Sequence, residues 1–88
     1  MADQETLLEF PCEFPIKVMG ETCDGFAEAI VEVVRMHAPD FDATRVEMRP
    51  SSTGKYLSLT CTIIATSKPQ LDDLYRALTS HPMVKVVL

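Results

Sequence analysis

Between Tyr56 and Ala65 the side chains alternate without interruption. Leu57, Leu59, Cys61, Ile63 and Ala65 fall on one side, and Tyr56, Ser58, Thr60, Thr62 and Ile64 on the other. A period of two kept up this long describes a β-strand with an aliphatic face that is covered and a polar face that is open. No other stretch constrains the fold as tightly. It requires a sheet, and it requires apolar cover on one side of that sheet only.

Two segments have the period to supply the cover. In DGFAEAIVEVVRMHAP, Phe26, Ile30, Val33, Val34 and His37 recur at helical spacing, with Glu28 and Glu32 on the outer side. Thr22 or Asp24 is placed to cap this helix, and Pro39 stops it. In SKPQLDDLYRALTSHP the stripe is Leu71, Leu74, Tyr75 and Leu78. Ser67 and Gln70 suit a capping box, and Asp72 and Arg76 have the spacing of an i,i+4 ion pair.

Three more strands accompany them. FPIKVMG (14–20) sets Ile16 and Val18 against Lys17 and Met19. TRVEMRP sets Val46 and Met48 against Arg45, Glu47 and Arg49, and MVKVVL (83–88) closes the chain. Pro50 has no N–H for a ladder, so it ends its strand or marks a sheet edge.

The stretch RPSSTGKY contains a Ser-Ser-Thr-Gly-Lys run that looks like part of a phosphate-cradling loop. Such a loop needs a second Gly five residues earlier and a helix directly after. Arg49 stands at the first position, Tyr56 follows Lys55, and the long strand comes next. The run is therefore a hairpin tip, with Gly54 supplying a positive φ.

The order β-α-β-β-α-β is that of an α+β, ferredoxin-like sandwich. Its four-stranded sheet is antiparallel, in spatial order 4-1-3-2, with both helices on one face. A chain of 88 residues supports one domain with a modest core. Residues 14–88 form that domain. Residues 1–13 read as an irregular arm that Leu7, Leu8, Phe10 and Phe14 tack onto the core.

Composition removes several function classes. A net charge of −5 argues against general nucleic-acid or anionic-membrane binding. The stacking aromatics of ferredoxin-like RNA-binding domains are missing from the central strands, which offer Lys17, Met19, Ser58 and Thr60 instead. Cys12, Cys23 and Cys61 are odd in number and far apart, which suits reduced thiols in a cytoplasmic protein and neither a metal site nor a redox pair. MADQETLLEF lacks the pattern of a signal peptide, and no apolar run is long enough for a membrane span. His37 and His81 sit at helix C-termini, where the dipole favours them, with no Ser or Cys at catalytic spacing. No catalytic residue, metal or cofactor is assigned, and the chain is not read as an enzyme.

What remains is the open face. Projected onto it are Lys17 and Met19, then Arg45, Glu47 and Arg49, then Tyr56 and its polar strand-mates, then Lys85 and Val87. Four of the eight basic residues thus meet one acid on an acidic protein. Arg45 and Arg49 beside Tyr56 suit a bidentate grip on a carboxylate next to an aromatic ring. The plainer alternative is that Lys and Arg stems simply cover an exposed sheet.

The segments LLEFP, FPIKVMG, VEVVRMHAP, RPSSTGKY, LYRAL and VKVVL together resemble the YbeD-like family of small bacterial proteins. The resemblance implies a fold like that of ACT regulatory domains and a link to lipoate metabolism. It also implies a ligand site at the loop after the first strand, often shared across a dimer. Here that loop begins Gly20-Glu21, with Gly20 permitting close backbone approach and Glu21 adding an acid that suits a carboxylate ligand poorly. The expectation is a small non-enzymatic regulatory module for an acidic metabolite of unknown identity. The alternative is an adaptor or self-associating module that docks a protein partner, a second copy included, through the open face or an edge strand.

Overall fold

The structure, a computed structural model, describes residues 9–88. Leu7 and Leu8, expected to anchor the N-terminal arm, lie outside the described residues. The elements are β1 (Cys12–Glu21), α1 (Phe26–His37), a 3-10 turn (Ala43–Arg45), β2 (Glu47–Pro50), β3 (Tyr56–Ala65), α2 (Lys68–Thr79) and β4 (Val84–Val87). The sheet runs β2-β3-β1-β4 with every pair antiparallel, which is the expected 4-1-3-2 order counted from the opposite edge. β1 and β3 pair along their whole lengths, from Cys12 opposite Ala65 to Glu21 opposite Tyr56.

Alternation sorts the side chains as the sequence requires. Ile16 and Val18 of β1 and Leu59, Cys61 and Ile63 of β3 point under the helices, against Phe26, Ile30 and Val34 of α1 and Leu71, Leu74 and Leu78 of α2. Each fully buried aliphatic or aromatic side chain contributes about 1.5–3 kcal/mol before entropy is counted. The Cys61 thiol lies in this core, and burial pushes it up to about 11, which leaves it protonated and inert.

The helix ends differ from expectation. Neither Thr22 nor Asp24 caps α1. The N-cap is Gly25 at φ 83, and the preceding turn is closed by the Phe26 N–H donating to the Cys23 carbonyl. At α2 the Ser67 hydroxyl accepts the Gln70 N–H at 3.2 Å, as half of a capping box. The other half is diverted: Gln70 Oε1 accepts from the Thr66 N–H at 2.7 Å, and its Nε2 donates to the His37 carbonyl at 2.8 Å, tying the end of α1 to the start of α2. Asp72 pairs with Lys68 and Arg76 with Asp73, so the Asp72–Arg76 pair does not form.

Three strand boundaries also move. β1 is longer than 14–20, taking Cys12 and Glu13 from the arm at one end and Glu21 at the other. β2 starts only at Glu47, because Asp42 closes a 3-10 turn first. Its Oδ1 accepts both the Thr44 N–H at 3.0 Å and the Thr44 hydroxyl at 2.6 Å, which holds the Asp42 carboxyl below its usual range. Arg45 therefore lies in a turn, not a strand. β4 breaks register opposite Met19 and Gly20, so Val86 faces Met19 while Val87 faces Val18 and packs on the core. Val87, expected on the open face, is thereby replaced there by Val86.

The Ser51–Lys55 tip is a hairpin turn: Ser51 N–H donates to Tyr56 at 2.9 Å, and Gly54 sits at φ 76. α2 packs against β4, where the Tyr75 hydroxyl reaches the Leu88 carbonyl at 3.4 Å. Met48 has the parity of a covered position on β2, yet it is 60% exposed.

Candidate functional site

The open face is laid out in rows by the ladder. Arg49, Ser58, Met19 and Val86 form one row, and Glu47, Thr60 and Lys17 the next. Tyr56 and Glu21 face each other at one end of the β1–β3 ladder, and Ile64 and Glu13 near the other. Diagonal neighbours on an antiparallel sheet are within reach of long side chains, so Lys17 and Arg49 flank Ser58 from two sides.

The extra length of β1 changes the electrostatics of this face. Glu13 and Glu21 join Glu47 on it, and each of the two newcomers engages a cation. Arg45 Nη1 meets Glu13 Oε2 at 3.2 Å, and Lys85 Nζ meets Glu21 Oε2 at 3.9 Å. Both pairs are about half exposed, so each adds little to stability, but each occupies its cation. Among the described residues neither Lys17 nor Arg49 has a carboxylate within ion-pair distance. The structure thus brings together Lys17, Met19, Arg49 and Tyr56. It sets Arg45 apart at the far end and binds Lys85 to the loop-side acid.

Between Lys17 and Arg49 the sheet is hollowed. One depression of about 200 Å³ is lined by Lys17, Met19, Arg49, Tyr56, Leu57 and Ser58 among others, and an adjoining one of about 240 Å³ adds Glu47 and Thr60. The Ser58 Oγ on their shared floor is buried and has no hydrogen-bond partner among the described residues. Most buried polar groups are satisfied, so an orphan hydroxyl between two unpaired cations marks a place where an acceptor fits. Lys55 Nζ lies 5.8 Å from the Tyr56 ring centroid, a cation–π contact with the ring that borders the depression. Chemically the arrangement suits an anion held by ammonium, guanidinium and hydroxyl, with its apolar part against Met19, Leu57 and Tyr56.

The loop after β1 is built differently. A side chain at Gly20 would run into the Met83 carbonyl oxygen and, at 2.7 Å, the Phe26 ring. The space that a ligand would need beside Gly20 is therefore filled by the protein itself. Glu21 next to it is engaged with Lys85. His81 is also structural: its Nδ1 accepts the Met83 N–H at 3.1 Å in the turn before β4.

Two features escaped the sequence reading. Ser58 was one of several polar residues on the open side, and only the ladder register shows that it lies between the two cations. A roomier depression, about 720 Å³, lies off the open face altogether, in a groove between α1 and β2 lined by Val31, Met36, Val46 and Met48 together with Glu28 and Arg35. The alternation of Val46 and Met48 was the available signal, but it reads equally well as a covered face. Among the described residues no group of His, Cys, Asp and Glu is arranged to hold a metal, and no helix is long and apolar enough to cross a membrane.

Comparison with known proteins gives a consistent picture. The family described as "Protein of unknown function (DUF493)" matches residues 5–88. A UPF0250 protein of Paraburkholderia phytofirmans is 64% identical over 84 residues, covering 96% of this chain and 94% of that protein. The UPF0250 protein NE1487 of Nitrosomonas europaea is 55% identical over 85 residues, covering 97% and 98%. In three dimensions the chain is similar to protein HP0495 of H. pylori, with a TM-score of 0.75 at 16% identity, over 92% of this chain and 85% of that one. It is also similar to the ACT domain of a GTP pyrophosphokinase from Chlorobium tepidum, with a TM-score of 0.65 at 18% identity, over 86% and 84%. At such identities these last two establish an ACT-like fold and nothing further.

Proposed function

We propose that this chain, which belongs to the DUF493 family of proteins of unknown function, is a non-enzymatic binding module of the cytoplasm that takes a small acidic metabolite on its open sheet face. Lys17 and Arg49 hold the carboxylate, Ser58 donates its unshared hydroxyl, and Met19, Leu57 and Tyr56 receive the apolar remainder. The observation that carries the reading is the orphan Ser58 hydroxyl between two cations that lack carboxylate partners among the described residues. An ACT-like fold supports a regulatory role, since such a module reports ligand occupancy to something else. The link to lipoate metabolism belongs with this reading, because lipoate is itself a carboxylate with an apolar body.

Titration of the isotope-labelled protein with acetate, succinate, octanoate, lipoate and phosphate, followed by NMR, tests it. The amides of Lys17, Met19, Arg49, Tyr56 and Ser58 are expected to shift together for at least one carboxylate. Lys17→Gln with Arg49→Gln should abolish that shift while the fold persists. A panel that moves none of these amides, or moves them equally in the double variant, sinks the reading.

A further inference from the structure

The two depressions that share the Ser58 floor differ in what lines them. The first sets Met19, Pro50, Tyr56 and Leu57 beside Lys17 and Arg49. The second sets Glu47 and Thr60 beside the same two cations. Glu47 stands opposite Thr60, and Thr60 opposite Lys17, so carboxylate and ammonium belong to one row of the sheet. Among the described residues Glu47 has no cation within ion-pair distance. Unlike Glu13 and Glu21, it is not occupied by a neighbour. The adjoining row has another character. From Arg49 it passes Ser58, then Met19, then Val86, which is 43% exposed.

We infer that Glu47 determines the specificity of this site, restricting it to acids of a single negative charge that carry an apolar tail. The inference rests on the carboxylate site proposed above and adds to it a limit of charge and a direction. Lys17, Arg49 and Glu47 together bring one net positive charge to the second depression. A singly charged head balances it, and a doubly charged head overshoots it. The excess charge then lies in a hollow that Glu47 itself lines, within the screening length of about 8 Å at physiological ionic strength. Discrimination of this kind works by a repulsive group set against the rival ligand, beside the attractive groups that both ligands share. The tail is sent along the other row, over Met19 toward Val86 and the Tyr56 ring. That side offers apolar surface, and its acid, Glu21, is engaged with Lys85.

A matched pair of ligands tests this on the full chain: hexanoate and hexylphosphonate, which share a tail and differ in head charge. Affinities are read by NMR titration at mildly alkaline pH, where the phosphonate is a dianion, with circular dichroism confirming that each variant is folded. The wild type is expected to prefer hexanoate by roughly tenfold. Glu47→Gln should remove most of that preference, with the phosphonate gaining more than the carboxylate. Val86→Asn should weaken hexanoate several-fold and leave the preference between heads as it was. Equal affinity of the wild type for both heads overturns the charge limit while the carboxylate site stands. So does a preference that Glu47→Gln leaves intact. Hexanoate binding that ignores Val86→Asn overturns the direction of the tail. Absence of binding by either ligand, in the wild type and in Glu47→Gln alike, overturns the site itself and the limit with it.

Discussion

The two faces of β3 are made by one stretch of chain and do opposite work. Leu59, Cys61 and Ile63 are at most 1% exposed and sit among the side chains of both helices. Ser58, Thr60 and Thr62, alternating with them, look out over a surface that no helix covers. Residues on the first face are held by packing, where each methylene matters. Residues on the second are held by little, so their identity is free to answer to a ligand. The same contrast recurs at the β1 terminus, where Gly20 is enclosed by Met83 and Phe26 while Glu21 next to it is solvated.

Mutations across this divide sharpen or break the contrast. The largest effect is expected for Leu59→Ala, which should cost about 2–5 kcal/mol in urea unfolding, whereas Lys17→Gln one strand away should stay within about 0.5 kcal/mol. Comparable losses for the two would mean that the open face also carries the fold. Gly20→Ala comes next, at about 1–3 kcal/mol, because its new methyl meets backbone and an aromatic ring together. A silent Gly20→Ala would reopen the loop after β1 as ligand space. Ser58→Ala should be the mildest. Removing a buried, unpartnered hydroxyl leaves stability unchanged or raises it by up to about 1 kcal/mol, while carboxylate titration shifts weaken. A clear loss of stability would instead show the hydroxyl engaged inside the protein.

The element order, the sheet topology and the core stripe were legible in the sequence, because periods of two and 3.6 recorded which side each residue faces. Gly54 likewise announced its turn. Ends were less legible, since they depend on local hydrogen bonds that compete. Asp42 captured Thr44 and delayed β2, and with that delay Arg45 left the strand. Glu13 and Glu21 were taken for arm and loop, so two ion pairs that consume Arg45 and Lys85 went unseen. The bulge that exchanges Val87 for Val86 leaves no mark in MVKVVL. The candidate site emerged only after these corrections, as the two open-face cations without a carboxylate partner among the described residues once Arg45 and Lys85 had found theirs.

Arg49 stands where the open face meets the β2 edge. An anion taken over Ser58 would therefore place its charge at the margin of the sheet, where whatever adjoins β2 would feel it. A chain this small would need no moving lid or hinge to report a metabolite level; a single arginine reorienting at that margin would suffice.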